Sequence, residues 1–334
     1  MKKEPFLGMF LILAAVLFSA CSGNNKPAGG LHNPQEVHAD SIAVHEILQP
    51  DKWGVSGDKV VIIIDSPDTL AYVYRLPDFK FLYTGLQAGG GPDDLINTNY
   101  SVVSRLADSQ VLLWNPGLHG MYFTVTDTGF VAGAKFEVPS DRRLETAPPA
   151  DSLQLENYSS KYDLYHLYLY LYDLGGKGWI DSASTAHQIF TEKVRQYDVY
   201  RNIPHTIGNG SVYAAIYPYT GRIEFYDVST GKLALQKAIG DDTPVEKLKE
   251  KDFSNSPVYE QVASDGKYLY VLESERQDKK ITDCNILVYD WDGNPVGKYH
   301  PDKLIHAILA YDGKIYGYNK DMDFEQVYVY DLRL

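Results

Sequence analysis

A six-bladed, all-β propeller of four-stranded antiparallel blades is the fold that this 334-residue chain predicts, and three observations carry the prediction. The first is a weak repeat that closes on an aromatic strand, an acid and a turn. Asp127, Asp173, Asp227, Asp290 and Asp331 end such strands and lie 46, 54, 63 and 41 residues apart. Tyr72-Val73-Tyr74 before Leu76-Pro77-Asp78 is a degenerate first copy, giving six units. A period of about 40–50 residues with four short strands per unit is the signature of a propeller. The second is a tight turn upstream of most copies: Ser56-Gly57-Asp58, Ala107-Asp108-Ser109, Gly208-Asn209-Gly210, Ser264-Asp265-Gly266 and Tyr311-Asp312-Gly313. Asn-Gly and Asp-Gly suit the positive φ angles of short hairpins. The third is that the last unit ends at Leu334, directly after its third strand, while an alternating segment, Glu36 to His45, has no unit of its own.

Each unit therefore reads inner strand, turn, second strand, loop, third strand ending on the acid, turn, outer strand. Runs such as Lys59-Val60-Val61-Ile62-Ile63-Ile64 and Lys267-Tyr268-Leu269-Tyr270-Val271-Leu272 are the second strands. The third unit has no clear turn landmark between residues 140 and 200. Residues 36–47 are expected to supply the outer strand of the last blade, removing a sheet edge and closing the ring. One short helix is expected at Thr243-Pro244-Val245-Glu246-Lys247-Leu248-Lys249, with proline in the first turn.

Residues 1–20 read as a signal peptide, 21–35 as a flexible tether and 36–334 as the propeller. Lys2 and Lys3 precede an apolar run from Phe6 to Phe18, too short for a membrane span, and Phe18-Ser19-Ala20-Cys21 resembles a bacterial lipobox. Cys21 is then the point of lipid attachment; an ordinary cleaved signal with an incidental cysteine is the alternative. With Cys21 lipidated, Cys284 has no disulfide partner and reads as a small packed side chain. A net charge of −13 argues against nucleic acid or an anionic membrane surface as the main partner.

The lipobox, the six units and Gly89-Gly90-Gly91-Pro92-Asp93-Asp94-Leu95 together resemble the TolB-like six-bladed propeller lipoproteins of Bacteroidota-type bacteria, and more loosely NHL-type blades. In such propellers the Gly-rich, acidic loop joins an outer strand to the next inner strand; Asp94 matches the acidic position and Leu95 replaces the usual Phe. The resemblance covers residues 35–334. It implies an outer-membrane address, and the lack of acidic residues just after Cys21 points to the periplasmic side rather than the cell surface. It implies no common reaction, and fold alone assigns none.

No nucleophile triad, phosphate loop or metal-binding histidine pattern stands out. Gly89-Gly90-Gly91 lacks the Gly-Lys-Ser/Thr sequel of a phosphate cradle. The candidate site is the channel mouth where innermost strands begin. His205 in Ile203-Pro204-His205-Thr206 and His306 in Ile305-His306-Ala307 fall near the level of Glu260-Gln261 and of Ser104-Arg105. Arg105, His205, Glu260 and His306 are thus the candidate ligand-binding set, as hydrated polar groups able to meet a hydroxyl-rich or zwitterionic ligand; a site of two His and one Glu for a metal is the geometric variant. No cofactor is called for. Tyr168, Tyr170 and Tyr172 share a strand face, and Asp51-Lys52-Trp53 is an exposed-aromatic candidate. The function expected is a non-enzymatic binding or scaffold lipoprotein for a glycan, peptide or protein. A glycan hydrolase or lyase at the channel mouth and a structural subunit of an outer-membrane complex are the alternatives.

Overall fold

The structure, a computed structural model, describes residues 31, 33–47, 50, 52–66, 68–89, 95, 101–105, 110–115, 119–137, 153–159, 167–173, 178–184, 204–240, 254–322 and 324–334, with the backbone alone at 101–105, 114–115, 119, 136–137 and 153–184. Two short strands come first, β1 (Gln35–Val37) and β2 (Asp40–Ala43). The first sheet follows as β3 (Lys52–Ser56), β4 (Lys59–Ile63), β5 (Ala71–Arg75) and β6 (Lys80–Gly85). The second is β7 (Ser101–Arg105), β8 (Gln110–Asn115), β9 (His119–Val125) and β10 (Phe130–Glu137). The third has three strands, β11 (Leu153–Ser159), β12 (Leu167–Asp173) and β13 (Gly178–Ser184). The fourth is β14 (His205–Gly208), β15 (Val212–Tyr217), β16 (Arg222–Asp227) and β17 (Ala234–Ile239). The fifth is β18 (Val258–Ser264), β19 (Leu269–Gln277), β20 (Lys280–Tyr289) and β21 (Pro295–Pro301), to which β1 adds a further strand, and the last is β22 (Ala307–Tyr311), β23 (Lys314–Tyr318) and β24 (Gln326–Asp331), with β2 as its fourth.

These are the antiparallel meanders of a β-propeller. The expected six four-stranded blades are corrected to five, because the sheet of residues 153–184 holds three strands among the described residues. That sheet falls where the sequence carries no Asp-Gly hairpin signal. The helix expected near 243–249 lies outside the described residues, as do Cys21, the tether to residue 30 and Gly90 to Asp94.

The repeated acid has a local cause. Asp227 Oδ1 accepts the Ser229 N–H at 2.8 Å, Asp290 Oδ1 the Asn294 N–H at 2.7 Å and Asp331 Oδ1 the Arg333 N–H at 3.1 Å. Each carboxylate thereby folds the turn that follows the third strand. Asp127 instead holds Lys59 Nζ of the first sheet at 3.0 Å. In the hairpins, Asp265 Oδ1 accepts the N–H groups of Lys267 and Tyr268, while its Oδ2 takes the Tyr270 hydroxyl and the Gly313 N–H of the next sheet. Gly313 sits at φ +73°, a left-handed conformation that costs a glycine little.

The core lies between sheets. Val55, Val60 and Ile62 of the first sheet pack with Leu309, Tyr316 and Val327 of the last. Comparable clusters join the fifth sheet to the last, the first to the second, and the fourth to the fifth. The amino-terminal segment crosses three of these seams. Leu31 packs on the fourth–fifth seam, Val37 is buried in the fifth–last seam, and Val44 and Ile47 are buried in the last–first seam.

Its backbone pairs differently from the expectation of one outer strand over 36–47. β2 pairs antiparallel with β24, Asp40 facing Val329 and Ala43 facing Gln326. β1 pairs parallel with β21 of the neighbouring sheet, Gln35 facing Tyr299 and Val37 facing Pro301. The break at His38-Ala39 is held by Asp302, whose carboxylate accepts the Ala39 N–H at 3.0 Å and whose own N–H bonds the Val37 carbonyl.

In the fourth sheet, Glu224 is fully buried and accepts hydrogen bonds from Arg222 Nε at 2.8 Å, Tyr217 at 3.0 Å and Tyr226 at 2.7 Å. A buried carboxylate needs such saturation. Arg222→Ala is expected to lower stability by about 3–5 kcal/mol in urea denaturation, since it strands that charge. A loss below about 1 kcal/mol would show that Arg222 is not its countercharge.

Candidate functional site at the inner-strand starts

Three neighbouring sheets bring their inner strands to one end of the fold. His205 opens β14, Glu260 is the third residue of β18, and His306 immediately precedes β22. Paired residues counted back from each hairpin put His205 opposite Ile216 and Gln261 opposite Leu272 at one level, with His306 just beyond Ala307, which faces Tyr318. Glu260 is the extra residue of a β-bulge between Tyr259 and Gln261. Bulges re-aim a side chain relative to its strand.

Arg105 does not join them. It ends β7, opposite Gln110 at the hairpin, so it lies at the other end of its inner strand. The four residues between Arg105 and Gln110, against two between Tyr311 and Lys314, shift the level inferred from turn signals alone. Lys52, which opens β3 opposite Ile63, takes the corresponding level in the first sheet.

The Glu260 carboxylate accepts hydrogen bonds from Ser274 Oγ at 2.6 Å and from Arg276 through both Nε and Nη2. That arrangement holds the carboxylate in a fixed direction beside the two histidines. Next to it, Gln261 Oε1 accepts the Ile308 N–H and links the fifth sheet to the last.

The histidines differ from the hydrated pair expected from sequence. His205 is half-buried. Burial pulls its pKa below the usual histidine value, against the opposing pull of the Glu260 charge and a hydrogen bond to the Tyr259 backbone. The His306 side chain is fully buried, and neither ring nitrogen has a hydrogen-bond partner among the described residues. Its Nδ1 lies 3.8 Å from Asp321 Oδ2, too long for a hydrogen bond. Burial lowers its pKa too; Asp321 and Glu260 oppose that shift, and Lys320 adds to it. Its position follows from sequence order: the His306 N–H donates to the Tyr318 carbonyl at 2.9 Å, which seats it against the β23 end. Trp53 is buried as well, not exposed, and its ring meets Tyr318 edge-on at 4.8 Å.

Among the described residues no three His, Cys, Asp or Glu side chains come close enough to hold a metal ion, so the two-His, one-Glu metal variant is not assembled. Cys284 lies within β20 and is buried, which pushes its thiol up to about 11 and makes it a poor nucleophile. Tyr168, Tyr170 and Tyr172 do alternate along β12. At the Gly-rich run, Leu95 is buried and its N–H and carbonyl bond Gln87 and Gly89 backbone groups.

Both histidines have native pKa values below the usual 6.5, so the unfolded chain takes up protons that the folded chain does not. Stability is therefore expected to fall as pH drops through about 6.5 and to level once the native groups titrate. Denaturant titrations at pH 7.5 and pH 5.5 measure this, and His306→Gln should reduce the difference. An equal difference in wild type and variant would contradict a neutral, buried His306.

No family model and no curated protein sequence matches the chain. Among solved structures it is similar to the β-propeller domain of Cps50 (Swd1) from Myceliophteria thermophila, with a TM-score of 0.49 and 10% identity over 92% of this chain and 100% of that one. It is also similar to BamB from Moraxella catarrhalis, with a TM-score of 0.39 and 10% identity over 84% of this chain and 69% of that one. U3-55K gives a TM-score of 0.47 and 4% identity over 90% of this chain and 100% of that one. The propeller reading rests on the strand order of this chain itself.

Proposed function

We propose that the chain is an envelope lipoprotein, anchored through Cys21 and facing the periplasm, whose propeller is a binding module rather than an enzyme. Its N-terminal segment closes the ring by filling the outer edge of the last sheet, a role that the β2–β24 pairing supports. The ligand end is where the inner strands begin. A polar partner segment rich in hydroxyls or carrying both charges, from a glycan, peptide or protein, meets His205 and Glu260 there, beside the buried His306.

One observation carries this reading: the Glu260 carboxylate, fixed by Ser274 and Arg276, acts on both the half-buried His205 and the buried His306, whose ring nitrogens have no hydrogen-bond partner among the described residues. An unpaired buried polar group costs about 1–3 kcal/mol. In the neutral state the ring offers one donor and one acceptor. Glu260, held by Ser274 and Arg276, supplies a fixed negative field beside it.

Two measurements test the proposal. Fatty-acid labelling should mark the wild type, and Cys21→Ser should leave it unlabelled and out of the membrane fraction; an unlabelled wild type contradicts the anchor. Thermal melts of the purified chain with a panel of dipeptides and neutral disaccharides should give a stabilising shift that His205→Ala together with Glu260→Gln removes. No shift with any of these probes, or a shift the double variant keeps, contradicts a ligand at the inner-strand starts.

A further inference from the structure

A cavity lies between the first two sheets, apart from the inner-strand starts. It is a groove of about 410 Å³, within the range of about 300–1,000 Å³ typical of small-molecule sites. One wall is the outer strand β6 and the other is the turn joining β9 to β10. From this geometry we propose that the groove is a binding subsite for a neutral saccharide unit.

The walls are fixed before any ligand arrives. The Tyr83 hydroxyl donates to the Thr126 and Gly129 carbonyls, both at 2.9 Å, which binds β6 across the seam to the turn. Thr126 Oγ1 in turn accepts the Gly129 N–H at 3.1 Å and donates to the Gly129 carbonyl at 2.9 Å. Phe130 stands edge-on to Tyr83 with ring centroids 5.8 Å apart. Glycine at residue 85 leaves it room: a Cβ there would come to 3.1 Å from the Phe130 ring. The groove thus carries two aromatic side chains, Tyr83 and Phe130, with the Tyr83 hydroxyl tied to the opposite wall, which lowers the ordering cost of binding.

Its lip is polar. Thr84, Thr128 and Asp68 are exposed lining residues, and Thr69 is half-buried. Rings that present an apolar surface, flanked by hydroxyls and one carboxylate, match a sugar, whose C–H faces lie on aromatic groups while its hydroxyls both donate and accept. No Lys or Arg lines the groove, and Asp68 would repel an anion. Lys59, the nearby cation, is already held by Asp58 at 2.7 Å and Asp127 at 3.0 Å. A neutral saccharide is therefore favoured over a phosphorylated or acidic one.

The test is titration of the full chain with maltose, cellobiose and N,N′-diacetylchitobiose, followed by isothermal calorimetry and amide NMR. At least one should bind saturably with a Kd on the order of 1 mM. Asp68→Ala combined with Thr84→Ala, both at exposed positions, should weaken it about tenfold or more without moving the melt. Thr128→Trp, which fills the groove, should abolish it. His205→Ala should leave it unchanged, which separates this groove from the inner-strand site. No saturable binding of any of the three sugars up to about 20 mM would overturn the proposal. So would binding that survives both groove variants, or binding lost in His205→Ala.

Discussion

The fold depends on apolar burial between sheets, and the amino-terminal segment is what ties several of those seams together. A propeller sheet has few contacts within itself that shield its faces; both faces are buried only when its neighbours stay in place. Val37, Val44 and Ile47 each enter a cluster shared by two sheets, and Leu31 packs on a third seam. Burying such a side chain is worth about 1.5–3 kcal/mol relative to leaving it exposed. Hydrogen bonding adds direction to that burial: β1 continues the fifth sheet in parallel and β2 the last sheet antiparallel, with Asp302 holding the step between them. Leu31 and residues 33–47 thereby touch the fourth, fifth, last and first sheets at once.

Rigid seams also explain how a polar site is tolerated. Leaving the His306 ring buried and unpaired is unfavourable, and a soft structure would relax by exposing it or by drawing Asp321 closer. Here Ile305, Tyr318 and Phe324 are buried around the same strand ends, and the Tyr318 carbonyl fixes the His306 backbone. The cost is carried by the packing. The same logic applies at the rim, where Tyr83 spends its hydroxyl on two carbonyls of the next sheet, with its pKa pushed up to about 12 by burial and by the nearby Asp127 charge.

Much of this was legible in the residues. The Asp repeat and the Asp-Gly landmarks located strands and turns because both act locally: a carboxylate two to four residues from the N–H groups it caps gives the same geometry wherever it recurs. The inner-strand starts of His205 and Glu260 followed from those landmarks. What failed was whatever depends on register or on a neighbouring sheet. Arg105 was misplaced because hairpin loop length differs between units, which no alternation pattern encodes. The bulge at Glu260 adds a residue that sequence periodicity absorbs without trace. Trp53 and His306 read as surface groups because the residues that bury them, such as Tyr318 and Phe324, lie far away in sequence. The segment from Glu36 to His45 alternates throughout, yet it is divided between two sheets at a step held by Asp302, more than 260 residues later.

The most direct test of this account is hydrogen exchange and thermal melting of the chain lacking residues 31–47, compared with the full chain under the same conditions. The account predicts a substantially lower midpoint, with faster amide exchange concentrated in β21 and β24, whose outer edges lose their partners, and in the seam between β3 and β22. An unchanged midpoint with full protection of β21 and β24 would contradict the claim that the amino-terminal segment holds the sheets together.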